Sequence, residues 1–170
     1  MQDQGPEALS LRDLARQAGV THSAPRRHFP DRQALLDTLA EDAFRRVTDD
    51  LEAAARAAPH DPVSRFRAAA GAYVRFAARE ARLHDLMFAM KSGEAPVPLQ
   101  QEADRFFAVT ADLLAPSAAL NGDPGPDDGP RRLLVVACLQ GLAALVASGR
   151  VPEDAVSSAL DEAAHTFLGQ

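Results

Sequence analysis

Apolar residues recur at helical spacing along most of the chain. Between Arg32 and Ala58 they follow each other at steps of three or four, which places them on one face of a long helix. The segment Pro30-Asp31 predicts a break before this helix and an N-terminal cap for it. The apolar stripe of the helix consists of Leu36, Leu39, Ala43, Val47, Leu51, Ala54 and Ala58.

Three more helices are predicted in the middle of the chain. The segment Pro59-His60-Asp61-Pro62 interrupts the first pattern, because proline disrupts the interior of a helix. The same spacing then indicates helices from Val63 to about Arg79, from Leu83 to Met90, and from Leu99 to Leu114. The residues from Lys91 to Pro98 are predicted to form a loop.

Two helices of different character are predicted near the C-terminus. The segment from Leu133 to Val146 is apolar on nearly every face, so we expect it to be buried from two sides. After Pro152, an amphipathic helix runs from Val156 to Phe167. Between residues 121 and 130 the chain is acidic and rich in glycine and proline, but its spacing does not match a calcium-binding loop, so we interpret it as a linker.

Two short helices are predicted at the N-terminal end. Ser10 can cap the first of them, and Gly19 ends it. The second begins at Thr21, a residue suited to an N-cap, and runs to about Phe29. Short helices joined by the turn Ala18-Gly19-Val20 fit a helix-turn-helix. With no credible strand and no internal repeat, the sequence predicts an all-α fold of about eight helices.

Composition excludes several classes of protein. Of 170 residues, 46% are hydrophobic, so a wholly disordered chain is excluded. The single cysteine, Cys138, allows no intrachain disulfide, and we expect it to be a small buried hydrophobic residue. The longest apolar run, Leu133 to Ala147, is shorter than the roughly 20 residues of a membrane helix. The first ten residues lack the pattern of a signal peptide, so we expect a cytoplasmic protein.

Charge is distributed unevenly along the chain. The whole chain has a formal net charge of −6. The segment from Leu9 to Arg32, however, contains five arginines and two aspartates, which gives a local net charge of +3 and leaves −9 for the remainder of the chain. A recognition helix needs cations around it to contact phosphates. This distribution therefore suits a protein that touches DNA with one edge only.

The segment from Leu9 to Phe44, LSLRDLARQAGVTHSAPRRHFPDRQALLDTLAEDAF, resembles the DNA-binding region of the tetracycline-repressor-like (TetR) family of bacterial regulators. A weaker likeness covers FAAREARLHDLMF, which begins at Phe76, and LQGLAALVASG, which contains Gly141. The resemblance implies a helix-turn-helix DNA-binding domain over residues 1–44 and a helical ligand-binding and dimerisation domain over residues 45–170. It also implies a homodimer that binds a palindromic operator and is released by a small apolar or amphipathic effector.

The resemblance also implies roles for individual residues of the helix-turn-helix. Thr21 caps the recognition helix, and His22, Ser23 and Arg26 face the major groove. Arg26 stands where the family usually has tyrosine, and it either binds guanine or pairs with phosphate. The residues expected to contact DNA are Arg12, Thr21, His22, Ser23, Arg26, Arg27, His28 and Arg32.

The family places a further helix before the segment that begins at Pro6, and only residues 1–5 precede that segment here. Two explanations are open: a start codon assigned too late, or a natural short form with impaired DNA binding. The second explanation implies an alternative function: the chain would be a dimeric small-molecule-binding protein that no longer binds DNA.

Candidate effector contacts are found among the aromatic and methionine residues that recur at helical spacing. These residues are expected first of all to form a hydrophobic core. With the resemblance, part of this core is expected to line an apolar cavity with a few polar anchors. His84 is either a half-exposed histidine without ligand contact or one of these anchors. The expected effector contacts are Phe66, Tyr73, Phe76, His84, Met87, Phe106, Thr110 and Gln140.

The remaining predictions concern assembly and chemistry. The outer faces of the last two helices are expected to form the dimer contact, with Ala137, Gly141 and Ala144 allowing close approach of helices. Ser23 and His28 lack an orienting acid and an oxyanion loop, so no enzymatic site is predicted. We expect neither a metal site nor a cofactor.

Overall fold

The structure is a computed structural model that describes residues 29–89, 95–114 and 129–168. Every regular element in these ranges is an α-helix, so the predicted all-α class is confirmed. The two short N-terminal helices predicted from the sequence lie outside the described residues. The six helices are α1 (Arg32–Ala57), α2 (Pro62–Arg79), α3 (Ala81–Ala89), α4 (Val97–Leu114), α5 (Gly129–Ala147) and α6 (Glu153–Leu168).

The start of α1 matches the cap predicted from the sequence. Asp31 has an extended backbone, and its Oδ1 accepts a hydrogen bond of 2.8 Å from the backbone N–H of Ala34. This bond satisfies one of the N–H groups that a helix leaves without a partner in its first turn. The helix ends at Ala57, one residue before the predicted end. It is continuous across the boundary proposed at residues 44 and 45, which stays a prediction.

The junction between α1 and α2 is built in the same way. The carboxylate of Asp61 accepts a hydrogen bond of 2.8 Å from the backbone N–H of Ser64, and this bond holds the pKa of Asp61 below its usual value. Pro62 occupies the first helical position, where its missing N–H has little cost. The sequence Asp61-Pro62 thus ends one helix and starts the next.

A single hydrophobic core joins all six helices. Helix α2 lies at its centre and packs against α1 on one side and against α5 and α6 on the other, while α4 packs along α1. The largest fully buried side chains include Phe66 and Phe76 of α2 and Phe106 of α4. Burying each phenylalanine stabilises the fold by about 1.5–3 kcal/mol relative to exposure. Helices α2 and α4 therefore contribute much of the stability of the core.

Helix α5 departs from its predicted burial. Val135, Leu139 and Ala143 are buried on one face, but Leu134 is 62% exposed and Cys138 is exposed. The expectations that this helix is buried from two sides and that Cys138 is buried are therefore wrong for the single chain. The physical reason is that α5 lies at the surface of the protomer and only its inner face meets α2.

The end of α5 depends on a glycine with left-handed backbone geometry. Gly149 has a φ of 69°, a region that residues with a Cβ rarely adopt. Its N–H bonds the carbonyl of Val146, and the N–H of Arg150 bonds the carbonyl of Leu145, each at 2.9 Å. This pair of bonds is the Schellman motif, and it turns the chain sharply toward α6.

Candidate functional site

Aromatic rings from four helices meet in the core on one side of α2. Phe44 of α1 lies 5.6 Å from Phe106 of α4, measured between ring centroids, and 6.2 Å from Phe88 of α3. Tyr73 of α2 lies 6.2 Å from Phe106, and His84 of α3 lies 5.0 Å from Phe88. We call these five residues the aromatic cluster. Rings at such separations attract each other beyond the effect of buried area, and their faces suit an apolar ligand.

One polar pair lies inside the aromatic cluster. The hydroxyl of Tyr73 is 2.8 Å from Nε2 of His84, within hydrogen-bonding distance. Burial raises the pKa of Tyr73, and hydrogen bonding to Gln140 of α5 acts in the opposite direction. Burial also lowers the pKa of His84, so both groups are uncharged near neutral pH. Tyr73 and His84 thus form a neutral polar pair that can donate and accept hydrogen bonds, and the side chain of Gln140 lies near the hydroxyl of Tyr73.

Two buried threonine hydroxyls in the core, those of Thr48 and Thr110, differ in their hydrogen bonding. Thr48 on α1 is fully buried, and its hydroxyl donates a hydrogen bond of 2.7 Å to the carbonyl of Phe44, four residues earlier. Thr110 on α4 is only 4% exposed and stands four residues after Phe106. Its Oγ1 nevertheless has no hydrogen-bond partner among the described residues. Such a hydroxyl costs about 1–3 kcal/mol when buried alone, so Thr110 is a candidate for ligand contact.

The structure brings together some of the predicted effector contacts. Tyr73, His84 and Phe106 lie in the aromatic cluster, and Gln140 reaches Tyr73 from another helix. Thr110 and Met87 lie one helical turn beyond Phe106 and His84, respectively, and both are buried.

Two other predicted contacts, Phe66 and Phe76, are buried on α2 and belong to the general core. Neither makes a ring contact with the aromatic cluster. Their role as effector contacts stays a prediction.

Sequence reasoning missed two members of the aromatic cluster, Phe44 and Phe88. A signal for Phe44 was present, since it is the single aromatic residue in the long helix from Arg32 to Ala57. Phe88 is one turn beyond His84 on α3, where the short apolar pattern did not distinguish it from its neighbours. Only the crossing of α1, α3 and α4 brings these two rings to Phe106.

Ion pairs join α1 to the helices that carry the aromatic cluster. Nη2 of Arg105, on α4, lies 2.8 Å from Asp49 and 3.1 Å from Glu52, both on α1. The hydrogen bond with Asp49 raises the pKa of Arg105. Arg46 of α1 lies 3.5 Å from Glu80, which separates α2 from α3. These contacts lie on the surface, so each contributes little stability but fixes where α1 meets α4.

Most of the predicted DNA contacts lie outside the described residues. Arg12, Thr21, His22, Ser23, Arg26, Arg27 and His28 belong to this group, and their roles stay predictions. Arg32 is described, and it is the first residue of α1. The long helix therefore starts directly after the predicted helix-turn-helix and runs into the aromatic cluster.

The outer face of α5 carries an exposed apolar stripe. Leu134, Cys138, Gly141 and Leu145 are spaced by four, three and four residues, and all four are exposed. A Cβ built on Gly141 would meet no atom within 4 Å. The single chain therefore leaves open space in front of Gly141, and its own packing gives no reason for a glycine there.

Other kinds of site find no support in the described part of the chain. Residues 29–89, 95–114 and 129–168 contain no group of three or more histidine, cysteine, aspartate or glutamate side chains that could hold a metal ion. Within the same ranges, no helix is long and apolar enough to cross a membrane.

Known proteins resemble the chain at both ends. The sequence profile of "Bacterial regulatory proteins, tetR family" matches residues 1–39, and that of "Tetracyclin repressor-like, C-terminal domain" matches residues 66–167. A solved structure, described as a protein with unknown function from Rhodococcus sp. RHA1, is 40% identical in sequence. The match covers 97% of this chain and 86% of that one, with a TM-score of 0.75. No curated protein matches.

Proposed function

Because the chain belongs to the TetR family of DNA-binding transcriptional regulators, we propose that it is a repressor that a small effector releases from its operator. Membership of this family also distinguishes it from enzymes. The observation that carries the proposal is the neutral polar pair of Tyr73 and His84 inside the aromatic cluster, together with the buried hydroxyl of Thr110, which stands one turn after Phe106 and has no hydrogen-bond partner among the described residues. Apolar surroundings with a few convergent polar groups are typical of small-molecule sites.

The expected effector is an uncharged or weakly polar amphipathic molecule. The aromatic cluster offers ring faces, and the polar group near it is neutral because burial disfavours charge on both Tyr73 and His84. A hydrogen-bonding effector also gives Thr110 the partner it lacks within the described chain. An ionised effector buried at this site would lose its hydration without gaining an opposite charge.

Helix α1 is the element through which the effector acts on DNA. Phe44 belongs to the aromatic cluster, and it lies 12 residues after Arg32, a distance of about 18 Å along a helix. A shift of α1 at Phe44 therefore moves the segment that follows the helix-turn-helix. Helix α1 then has two positions, one before and one after this shift. The effector changes DNA affinity only if it binds the protein more tightly with α1 in one position than in the other.

A homodimer through α5 and α6 completes the proposal. The exposed stripe of Leu134, Cys138, Gly141 and Leu145 has the spacing of a helix seam, and Gly141 allows two such helices to approach closely. A partner on this face also covers the apolar surface that the single chain leaves exposed. Two copies related by a twofold axis present their recognition helices about 34 Å apart, as a palindrome requires.

Fluorescence anisotropy tests the DNA-binding part of the proposal. The chain is titrated onto labelled duplex DNA from the region upstream of its own gene, and onto a shuffled duplex of the same length. We expect tighter binding to the upstream DNA, with affinity that falls steeply as salt rises. Equal and weak binding to both duplexes would contradict the proposal and favour a small-molecule-binding protein that does not bind DNA.

Variants of two neighbouring arginines separate base recognition from phosphate contact. If Arg26 contacts a base, Arg26→Ala costs about 1–3 kcal/mol on the upstream DNA and little on the shuffled DNA. Arg27→Ala is the comparison, since it removes the same charge one position away and, as a contact to phosphate, should weaken binding to both duplexes alike. An equal loss on both duplexes for Arg26→Ala assigns Arg26 to phosphate contact instead.

A further inference from the structure

A groove separate from the aromatic cluster lies between α2, α5 and α6. It has a volume of about 490 Å³, which is in the usual range for small-molecule sites. None of the residues predicted to contact the effector lines it. Its apolar lining comes from all three helices: Val74 of α2, Val146 of α5, and Val156 and Leu160 of α6.

One ridge of α2 gives the groove a positive charge. Arg67, Gly71, Arg75 and Arg79 are spaced by four residues, so they follow one another along the helix surface, and all four line the groove. Among the described residues that line the groove, Asp161 of α6 is the only acidic one. The groove therefore carries a formal charge of +2 within a chain of net charge −6. Anions are attracted to such a local patch even when the whole protein is acidic.

The three arginines of the ridge differ in their partners. Arg67 forms an ion pair with Asp161, which connects α2 to α6. Neither Arg75 nor Arg79 makes an ion pair within residues 29–89, 95–114 and 129–168. Like charges four residues apart on a helix repel each other, and an anionic ligand between them relieves this repulsion. The two guanidinium groups are thus available for an anionic ligand.

Gly71 determines where one of these guanidinium groups lies. A Cβ built on Gly71 would be 3.1 Å from Nη1 of Arg75 and 3.6 Å from Cδ1 of Leu160. The side chain of Arg75 therefore folds back over the bare backbone of Gly71, beside the apolar side chain of Leu160. This contact places a charged group and an apolar surface next to each other, as a molecule with a charged head and an apolar tail requires.

We propose that this groove is a second small-molecule site and that it binds a linear carboxylate with an apolar tail. The carboxylate accepts hydrogen bonds from Arg75 and Arg79, and the tail lies on Val74, Val146 and Leu160. The ridge from Arg67 to Arg79 is about 18 Å long, which suits an extended chain better than a compact ring system. Arginine is well suited to the head group because its planar N–H groups match a carboxylate.

The groove and the exposed stripe of α5 lie on different sides of that helix. Val146 packs toward the core, whereas Leu134, Gly141 and Leu145 point outward. Binding in the groove does not depend on the proposed function.

Isothermal titration calorimetry of the full chain with decanoate tests this proposal, with 1-decanol as the uncharged counterpart. We expect one decanoate per chain and binding of 1-decanol that is roughly tenfold weaker or more, since a charged hydrogen bond contributes about that factor. Replacing both Arg75 and Arg79 by Gln should weaken decanoate binding by a similar factor. The control is Arg65→Gln, which removes one arginine charge from an exposed position of α2 outside the groove.

Gly71→Ala provides a variant that keeps the helix intact, because alanine favours a helix more than glycine does. The added methyl displaces the guanidinium of Arg75, so decanoate should bind more weakly while thermal stability is maintained. Three results would overturn the proposal: no saturable binding, equal binding of decanoate and 1-decanol, or equal loss in Arg65→Gln and in the double variant. Loss of decanoate binding in Thr110→Val alone would place decanoate in the aromatic cluster and also overturn it.

Discussion

Replacing Thr110 by Val removes one buried hydroxyl and puts a methyl group in its place. The two side chains have nearly the same shape and the same branching at Cβ, so the helix propensity of α4 changes little. The hydroxyl of Thr110 has no partner among the described residues, and such a group costs about 1–3 kcal/mol when buried. We therefore expect Thr110→Val to raise the free energy of unfolding by about 1–2 kcal/mol.

Thr48→Val is the matched control in the same protein. Thr48 is also buried on a helix, but its hydroxyl donates to the carbonyl of Phe44 at 2.7 Å. The substitution removes this bond, so the free energy of unfolding should fall by about 0.5–1.5 kcal/mol. The two valine variants should consequently shift stability in opposite directions.

Urea unfolding followed by circular dichroism measures both effects. Wild type and variants are compared at one protein concentration, because the stability of a dimer depends on it. A change of 1 kcal/mol also corresponds to about 2–4 °C in Tm for a chain of this length. If Thr110→Val is destabilised as much as Thr48→Val, the hydroxyl of Thr110 has a partner in solution, and its assignment as a ligand contact is refuted.

Three further predictions concern other parts of the molecule. Gly141→Leu, on the outer face of α5, should convert the proposed dimer to a monomer in sedimentation velocity without loss of helix. The control Ala53→Leu, at an exposed position of α1, should leave the dimer intact. A Gly141→Leu variant that is still dimeric would exclude the outer face of α5 as the dimer contact. Burial lowers the pKa of His84 below 6.5, so its contribution to stability is present above about pH 6.5 and is lost as the pH falls through the folded-state pKa. The stability of His84→Gln, which keeps a hydrogen-bonding group near Tyr73, should fall less with acid than that of wild type, and parallel pH curves would contradict this. Arg105→Gln should change the free energy of unfolding by less than about 1 kcal/mol in urea, because its ion pairs are on the surface.

The bounds of α1 and α2 follow closely from the sequence, for local physical reasons, whereas α4 begins at Val97 inside the predicted loop and α5 begins at Gly129 inside the predicted linker. Asp31 and Asp61 accept hydrogen bonds from the first turns of α1 and α2, and proline stands beside each of them. Caps and breaks of this kind involve residues three or four positions apart, so they are readable without tertiary structure. The all-α class and the ends of α1 and α2 were predictable to within a residue or so on this basis.

The composition of the candidate effector site depended on tertiary structure. Periodicity marked Tyr73, His84 and Phe106 as inward-facing, but it did not show that Phe44 of α1 would meet Phe106. Such contacts depend on the crossing of helices that are far apart in sequence. The lack of a hydrogen-bond partner for Thr110 among the described residues is equally invisible in the sequence, since Thr48 stands in the same local pattern and has a partner.

By itself, the sequence determined where α1 and α2 begin and end, which face of each described helix is apolar, and which family the chain belongs to. Tertiary structure decided which inward-facing side chains meet, and it left the outer face of α5 and Cys138 exposed where the sequence predicted burial. The reason is that hydrophobic periodicity reports how apolar a face is, whereas the partner that covers this face is set by packing between distant helices or between two chains.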